Sequence, residues 1–170
     1  VRREDGPRGL RHAHRGFFGT AEVIELYLFG TGTVGGRLVE HLEAQKARLK
    51  ARGIELRLCG LARSKGLVLS ENGVDASEAR NGMAGSTAPD PLRVADFVAS
   101  RKPICPVFVD CTSDASLASR YGELLAAGLH VVTANKKANA GSYAYWQELR
   151  EKARAGQRRF LYETNVGAGL

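Results

Sequence analysis

The chain has 170 residues, 44% of them hydrophobic, and a formal net charge of +7. That length and composition suit one domain with a real core. No apolar run approaches the roughly 18 residues of a membrane span, and the charged N-terminus does not read as a signal sequence, so a cytoplasmic protein without membrane contact is expected. Three cysteines, Cys59, Cys105 and Cys111, have neither CxxC nor Cys/His metal spacing. Their odd number argues against a disulfide framework, and they read as small buried hydrophobes.

The positive charge raises the question of nucleic acid. Part of it lies in the head, where Arg2, Arg3, Arg8, Arg11 and Arg15 outnumber Glu4 and Asp5. More lies on a helical stretch, where Lys46, Arg48, Lys50 and Arg52 follow Glu40 and Glu43. Solvated helix faces have this pattern, and the aromatic–basic interleaving of an RNA-binding sheet is missing. No nucleic-acid partner is expected; a basic surface also suits an anionic cofactor.

Residues 1–21 lack apolar periodicity and read as a linker or tail. A first strand is predicted at 23–29, followed by Gly30-Thr31-Gly32-Thr33-Val34-Gly35 and a helix at 34–52. Val34, Leu38, Leu42 and Leu49 lie close to one face of that helix, and Gly53 closes it. A second strand spans 54–62. Residues 64–91 carry Asn72-Gly73, Asn81-Gly82, Gly85-Ser86 and Pro89-Asp90-Pro91, which predict an irregular excursion with one short helix. A helix at 92–101 precedes Pro103. The apolar run 106–111 suits a central strand buried on both faces. Thr112-Ser113-Asp114 offers capping side chains to a helix at 115–127. A strand at 129–133, a helix at 142–155 and a strand at 159–163 follow. The alternation predicts an α/β fold, a Rossmann-like doubly wound parallel sheet over residues 22–170.

The glycine turn carries the chemistry. Gly30 permits the tight turn, Gly32 lets the backbone approach a pyrophosphate, and Gly35 lets the helix pack on the strand. The helix N-terminus then meets the negative charge. In such sheets ligands bind beyond the carboxyl ends of the strands. NAD sites usually place Asp or Glu at the end of the second strand, but here that end reads Ala62-Arg63-Ser64-Lys65, and Glu55 begins the strand instead. Arg63 and Lys65 suit a 2′-phosphate, with Ser64 as a donor, so NADP(H) is favoured over NAD(H). The competing reading of the same residues is a solvated basic loop.

Several separated stretches together resemble homoserine dehydrogenases, in particular the dehydrogenase half of the fused aspartokinase–homoserine dehydrogenases. They are Leu-Phe-Gly-Thr-Gly-Thr-Val-Gly-Gly at 28–36, Leu-Cys-Gly-Leu-Ala-Arg-Ser-Lys at 58–65 and Val-Asp-Cys-Thr-Ser at 109–113. His-Val-Val-Thr-Ala-Asn-Lys-Lys-Ala-Asn at 130–139 and Phe-Leu-Tyr-Glu-Thr-Asn-Val-Gly-Ala-Gly-Leu at 160–170 complete the set. The resemblance implies NAD(P)H-dependent reduction of L-aspartate 4-semialdehyde to L-homoserine, in the branch leading to threonine and methionine. It implies that Gly30, Thr31, Gly32, Thr33 and Val34 hold the pyrophosphate and that Thr112 and Ser113 face the cofactor. It places Lys136 beside nicotinamide and substrate, where an ammonium would stabilise a developing alkoxide. It also implies a monovalent-cation (sodium) site at Glu163 with the carbonyls of Val166 and Ala168. The family continues past the position of Leu170 into a substrate-binding, dimerising region. The chain is therefore expected to bind cofactor without efficient turnover. An upstream aspartokinase half and a homo-oligomeric parent enzyme are expected partners, with a small molecule as substrate. Two other readings stay open: a non-catalytic NAD(P) redox-sensing module, and a dehydrogenase for another small aldehyde.

Overall fold

The computed structural model describes residues 21–75 and 89–165. The expected tail through residue 20, the middle of the irregular excursion, and Val166 and Ala168 lie outside the described residues. The first strand, β1 (Glu22–Phe29), runs into helix α1 (Thr33–Ala51) and returns as β2 (Ile54–Arg63). A hairpin adds β3 (Gly66–Leu69), followed by α2 (Pro91–Arg101) and β4 (Pro106–Asp110). Two short helices, α3 (Ala115–Ala118) and α4 (Tyr121–Ala126), lead to β5 (His130–Thr133), α5 (Tyr143–Ala155) and β6 (Phe160–Leu161).

The sheet order is β3-β2-β1-β4-β5-β6. Every pairing is parallel except β2 with β3. The mixed α/β, doubly wound sheet expected from the alternation is therefore present. Along β1, Leu26 and Leu28 point to the layer shared with Val39 of α1. Tyr27 and Phe29 point to the larger layer, with Val94, Tyr121, Leu124 and Leu149 from α2, α4 and α5. Both faces are covered, which is why β1 and β4 read as apolar runs. Gly32 and Ser142 begin α1 and α5, and Asp90 caps α2 by accepting from Leu92 N at 2.9 Å.

Four expectations need correction. Residues 66–69 form a strand, not irregular chain; Arg63 pairs with Gly66 across the two-residue turn Ser64-Lys65. The segment is too short to show alternation, and its pairing is antiparallel at a sheet edge. The helix expected at 115–127 is broken. Ser119 Oγ donates to the Ser116 carbonyl at 2.7 Å, and Arg120 N bonds Leu117 O instead of continuing the helical ladder. The last strand is two residues long. Beyond it Glu163–Asn165 form a single 3-10 turn, and Thr164 Oγ1 donates to the Thr133 carbonyl at 3.0 Å. Finally, Val34 is 55% exposed. The core side of α1 is formed by Gly35, Leu38, Val39 and Leu42, and Val34, next to Gly35 in the first turn, faces away from it.

At the opposite end of the sheet from the glycine turn, Glu25 is buried. Arg101 Nη1 and Nη2 donate to its two oxygens at 2.9 Å each, and Tyr27 Oη donates at 2.7 Å. Burial alone would raise the Glu25 carboxyl, but the Arg101 and Tyr27 hydrogen bonds outweigh it and hold the group below its ordinary value.

Candidate cofactor site

Parallel pairing aligns Phe29 with Ala62 and Asp110, and Asp110 with Thr133. Consequently the segments after β1, β2, β4 and β5 leave the sheet at one edge. The order of the strands reverses at β1, between β2 and β4, and the crevice there is where α/β sheets hold ligands. A cleft of about 1110 Å³ opens at this place.

Its floor is the glycine turn. Gly30 has φ +89°, and a Cβ there would lie 2.9 Å from the carbonyl carbon and oxygen of Cys111. A side chain is excluded both by conformation and by space. Gly35 is tighter still, its missing Cβ falling 1.8 Å from Gly30 O. Gly32 differs, because a Cβ there would meet nothing within 4 Å. The space above Gly32 is open on the cleft side. Helix α1 has no side-chain cap at its N-terminus and no acidic residue in its first turn. Its leading amides and the positive end of its dipole are thus left for an anion.

The walls are polar. Thr31, Arg63, Ser64, Thr112, Ser113 and Arg120 all line the cleft. The acidic groups at its rim are turned toward their own helices. Asp90 caps α2, and Asp114 accepts from Ser116 N and Oγ at 2.8 Å each. Those Ser116 hydrogen bonds hold the Asp114 carboxyl below its ordinary value. An anion entering the cleft therefore meets Arg63 and Arg120, with Arg120 already paired to Glu123 at 3.0 Å. A dianionic pyrophosphate with a sugar phosphate at one end suits this donor set.

Of the residues singled out from sequence, Gly30, Thr31, Gly32, Arg63, Thr112 and Ser113 come together around the cleft. Thr33, Val34 and Gly35 form the first turn of α1 behind it. Lys136 is exposed on the turn after β5 and is not among the lining residues. Glu163 is exposed on the terminal 3-10 turn. Among the described residues no group of three or more His, Cys, Asp or Glu could hold a metal ion. No described helix is long and apolar enough to cross a membrane. None of the three cysteines forms a disulfide. Burial pushes the Cys59 and Cys111 thiols up to about 11, which keeps them protonated and unreactive at neutral pH.

The sequence reading missed a buried polar network under the cleft. Asp110, fully buried at the end of β4, accepts from Thr112 N at 2.7 Å and from Asn135 Nδ2 at 3.0 Å. It also accepts a short hydrogen bond from Tyr121 Oη, which contacts Thr133 Oγ1 at 2.8 Å. Burial, then the Asp110 charge, raise the Tyr121 hydroxyl far above its ordinary value, so it remains a donor. The one available signal was a carboxylate ending a strand buried on both faces. Arg120 was missed because an unbroken helix gave no reason to aim it at the cleft.

The family model described as "Homoserine dehydrogenase, NAD binding domain" matches residues 30–163. The bifunctional aspartokinase/homoserine dehydrogenase of Haemophilus influenzae is 42% identical over 162 residues, covering 95% of this chain and 20% of that protein. A chloroplastic bifunctional aspartokinase/homoserine dehydrogenase of Zea mays is 38% identical over 175 residues, 100% of this chain and 19% of its own length. The chain thus spans about a fifth of the curated relatives it matches. Among solved structures, a hyperthermophilic archaeal homoserine dehydrogenase in complex with NADPH has a TM-score of 0.66 at 24% identity, over 85% of this chain and 44% of that one. The Thermoplasma acidophilum homoserine dehydrogenase gives 0.67 at 23%, over 86% and 45%. At that identity these two structures bear on the fold.

Proposed function

The chain belongs to the family of homoserine dehydrogenase NAD-binding domains, and from that membership we propose that it binds NADP(H) for the reduction of L-aspartate 4-semialdehyde to L-homoserine. The observation that carries the reading is the uncapped N-terminus of α1, facing open space at Gly32 in a polar cleft at the strand reversal.

In this reading the amides of the first turn of α1, over Thr33–Gly35, hold the pyrophosphate, and Thr31, Thr112 and Ser113 orient the sugars with their hydroxyls. Arg63, at the end of β2, pairs with the 2′-phosphate. Bound there, a reduced nicotinamide supplies a hydride to an aldehyde carbon. Lys136 draws electron density onto the aldehyde oxygen as charge develops on it. Glu163 is the described member of a monovalent-cation site whose remaining ligands are carbonyls of Val166 and Ala168. A region following residue 170 supplies the substrate site and the proton, and an aspartokinase half precedes the linker at 1–21. Relatives that carry both activities in one chain support that arrangement.

The cofactor choice has a direct test. Arg63→Ala is expected to weaken NADPH binding about tenfold while leaving NADH unchanged, since one charge-assisted contact is lost from one ligand only. Calorimetric titration of both cofactors into both chains measures it. Equal losses for NADPH and NADH would remove Arg63 from the 2′-phosphate role.

A further inference from the structure

The cofactor loop after β4 and the lysine turn after β5 are joined by one side chain. Asn135, 2% exposed, donates through Nδ2 to Asp110 Oδ2 at 3.0 Å and to the Asp114 carbonyl at 2.8 Å, with Thr112 Oγ1 at 3.5 Å. Its Oδ1 accepts from Lys137 N at 3.1 Å, and its own N–H donates to Thr133 Oγ1 at 2.9 Å. The Asn135 amide therefore brackets the backbone of Lys136 on one side and the Thr112–Asp114 segment on the other. Asp110 completes the link, because the same carboxylate that accepts from Asn135 also accepts from Thr112 N.

We infer that Asn135, acting through Asp110, is a positioning residue that fixes the cofactor-facing Thr112–Ser113 loop relative to Lys136. The inference rests on the cofactor reading of the cleft given above. Three features support it. The amide donates toward the β4 loop and accepts from the β5 turn, and a residue of similar size with only one of these capacities cannot do both. The pair is buried, so neither half can be replaced by solvent without rearrangement. Neither Asn135 nor Asp110 lines the cleft, so neither is placed to touch the cofactor. Their influence on binding must pass through Thr112 and Ser113.

Asn135→Asp tests this through charge. The new carboxylate would face the Asp110 carboxylate and the Asp114 carbonyl, which need a donor. Tyr121 Oη, the hydroxyls of Thr112 and Thr133, and the lysines at 136 and 137 are the other polar or charged groups around it. Once protonated, the variant side chain can again donate to Asp110; when ionised it repels it, and proximity to Asp110 favours the protonated form. NADPH affinity of the variant, as a ratio to wild type at the same pH, is therefore expected to be about tenfold weaker near pH 8.5 and substantially restored near pH 5.5. Tyr121→Phe is the comparison. It removes a partner of Asp110 on the helix side and leaves both loop contacts, so the melting temperature is expected to fall while NADPH affinity stays.

Wild type that binds NADPH beside an Asn135→Asp chain whose ratio does not change with pH would overturn the inference alone. Wild type that binds no nicotinamide cofactor would overturn the cofactor reading and this inference together. Should Asn135→Asp not fold near pH 8.5, Asn135→Ala decides. About tenfold weaker NADPH binding well below its melting temperature is expected, and unchanged affinity contradicts the assignment.

Discussion

Gly35→Ala is expected to destabilise the chain by more than about 3 kcal/mol, near the upper end of what overpacking costs. The added methyl would stand 1.8 Å from Gly30 O, 2.9 Å from Gly30 C and 3.3 Å from Cys111 Cβ. Two of these atoms are backbone, in a turn already fixed by φ +89° at Gly30, so no side-chain rotation relieves the overlap. Helix α1 would have to move off β1, separating Val39 and Leu42 from Leu26 and Leu28. For a chain of this length each kcal/mol shifts the melting temperature by roughly 2–4 °C, so a loss of about 10 °C is expected in thermal denaturation. Gly32→Ala is the contrast. Its methyl meets nothing within 4 Å, so the melting temperature should hold while NADPH binding weakens, because the methyl occupies the approach to the helix amides. A stable Gly35→Ala chain would mean that the turn is looser than its geometry.

Arg101→Met is expected to cost about 3–5 kcal/mol, as when one partner of a buried ion pair is removed. Arg101 supplies two hydrogen bonds and the opposite charge to Glu25, and without them the carboxylate keeps the neutral donors Tyr27 Oη and the Cys59 thiol. The pH dependence follows from the sign of the shift. The Glu25 carboxyl is held below its ordinary 4.5 in the folded chain. Its contribution is therefore complete above the unfolded value and is lost as pH falls below 4.5 through the folded one. In the variant, burial dominates and raises that carboxyl instead. The deficit relative to wild type should then shrink as the solution is acidified. Adding Glu25→Gln to Arg101→Met removes the stranded charge and is expected to recover part of the stability at neutral pH. Urea denaturation of the three chains at several pH values measures these effects. A deficit that does not change with pH would place the cost in lost packing of Arg101 over Phe97, where the guanidinium lies 4.8 Å from the ring centre.

What could be read from the sequence was local. The glycine spacing after β1, the glycine ending α1, and the apolar run of β4 each state their own geometry. So the sheet, its crossovers and the cleft-lining Gly30, Gly32, Arg63 and Thr112 followed from short stretches. What could not be read depended on distant partners. The break at Ser119–Arg120 brings Tyr121 onto Asp110 and Thr133, residues on two strands. Residues 66–69 are a strand because β2 presents them with an edge, a fact their own composition does not contain. Thr164 anchors to Thr133 O through its side chain, which shortens β6. In the sequence Asn135 is simply the neighbour of Lys136. Its hydrogen bonds to Asp110 and to the Asp114 carbonyl exist only once β4 and β5 lie side by side.

The claim on which the rest depends is that the N-terminus of α1 holds a dinucleotide pyrophosphate in the cleft at the strand reversal. Following the backbone amides by NMR during titration with NADPH tests it most directly. Binding with the largest shifts at Gly32–Gly35, Arg63 and Thr112–Ser113 is the predicted result. Binding with shifts elsewhere, or no binding by a chain whose spectrum is that of a folded protein, would contradict it.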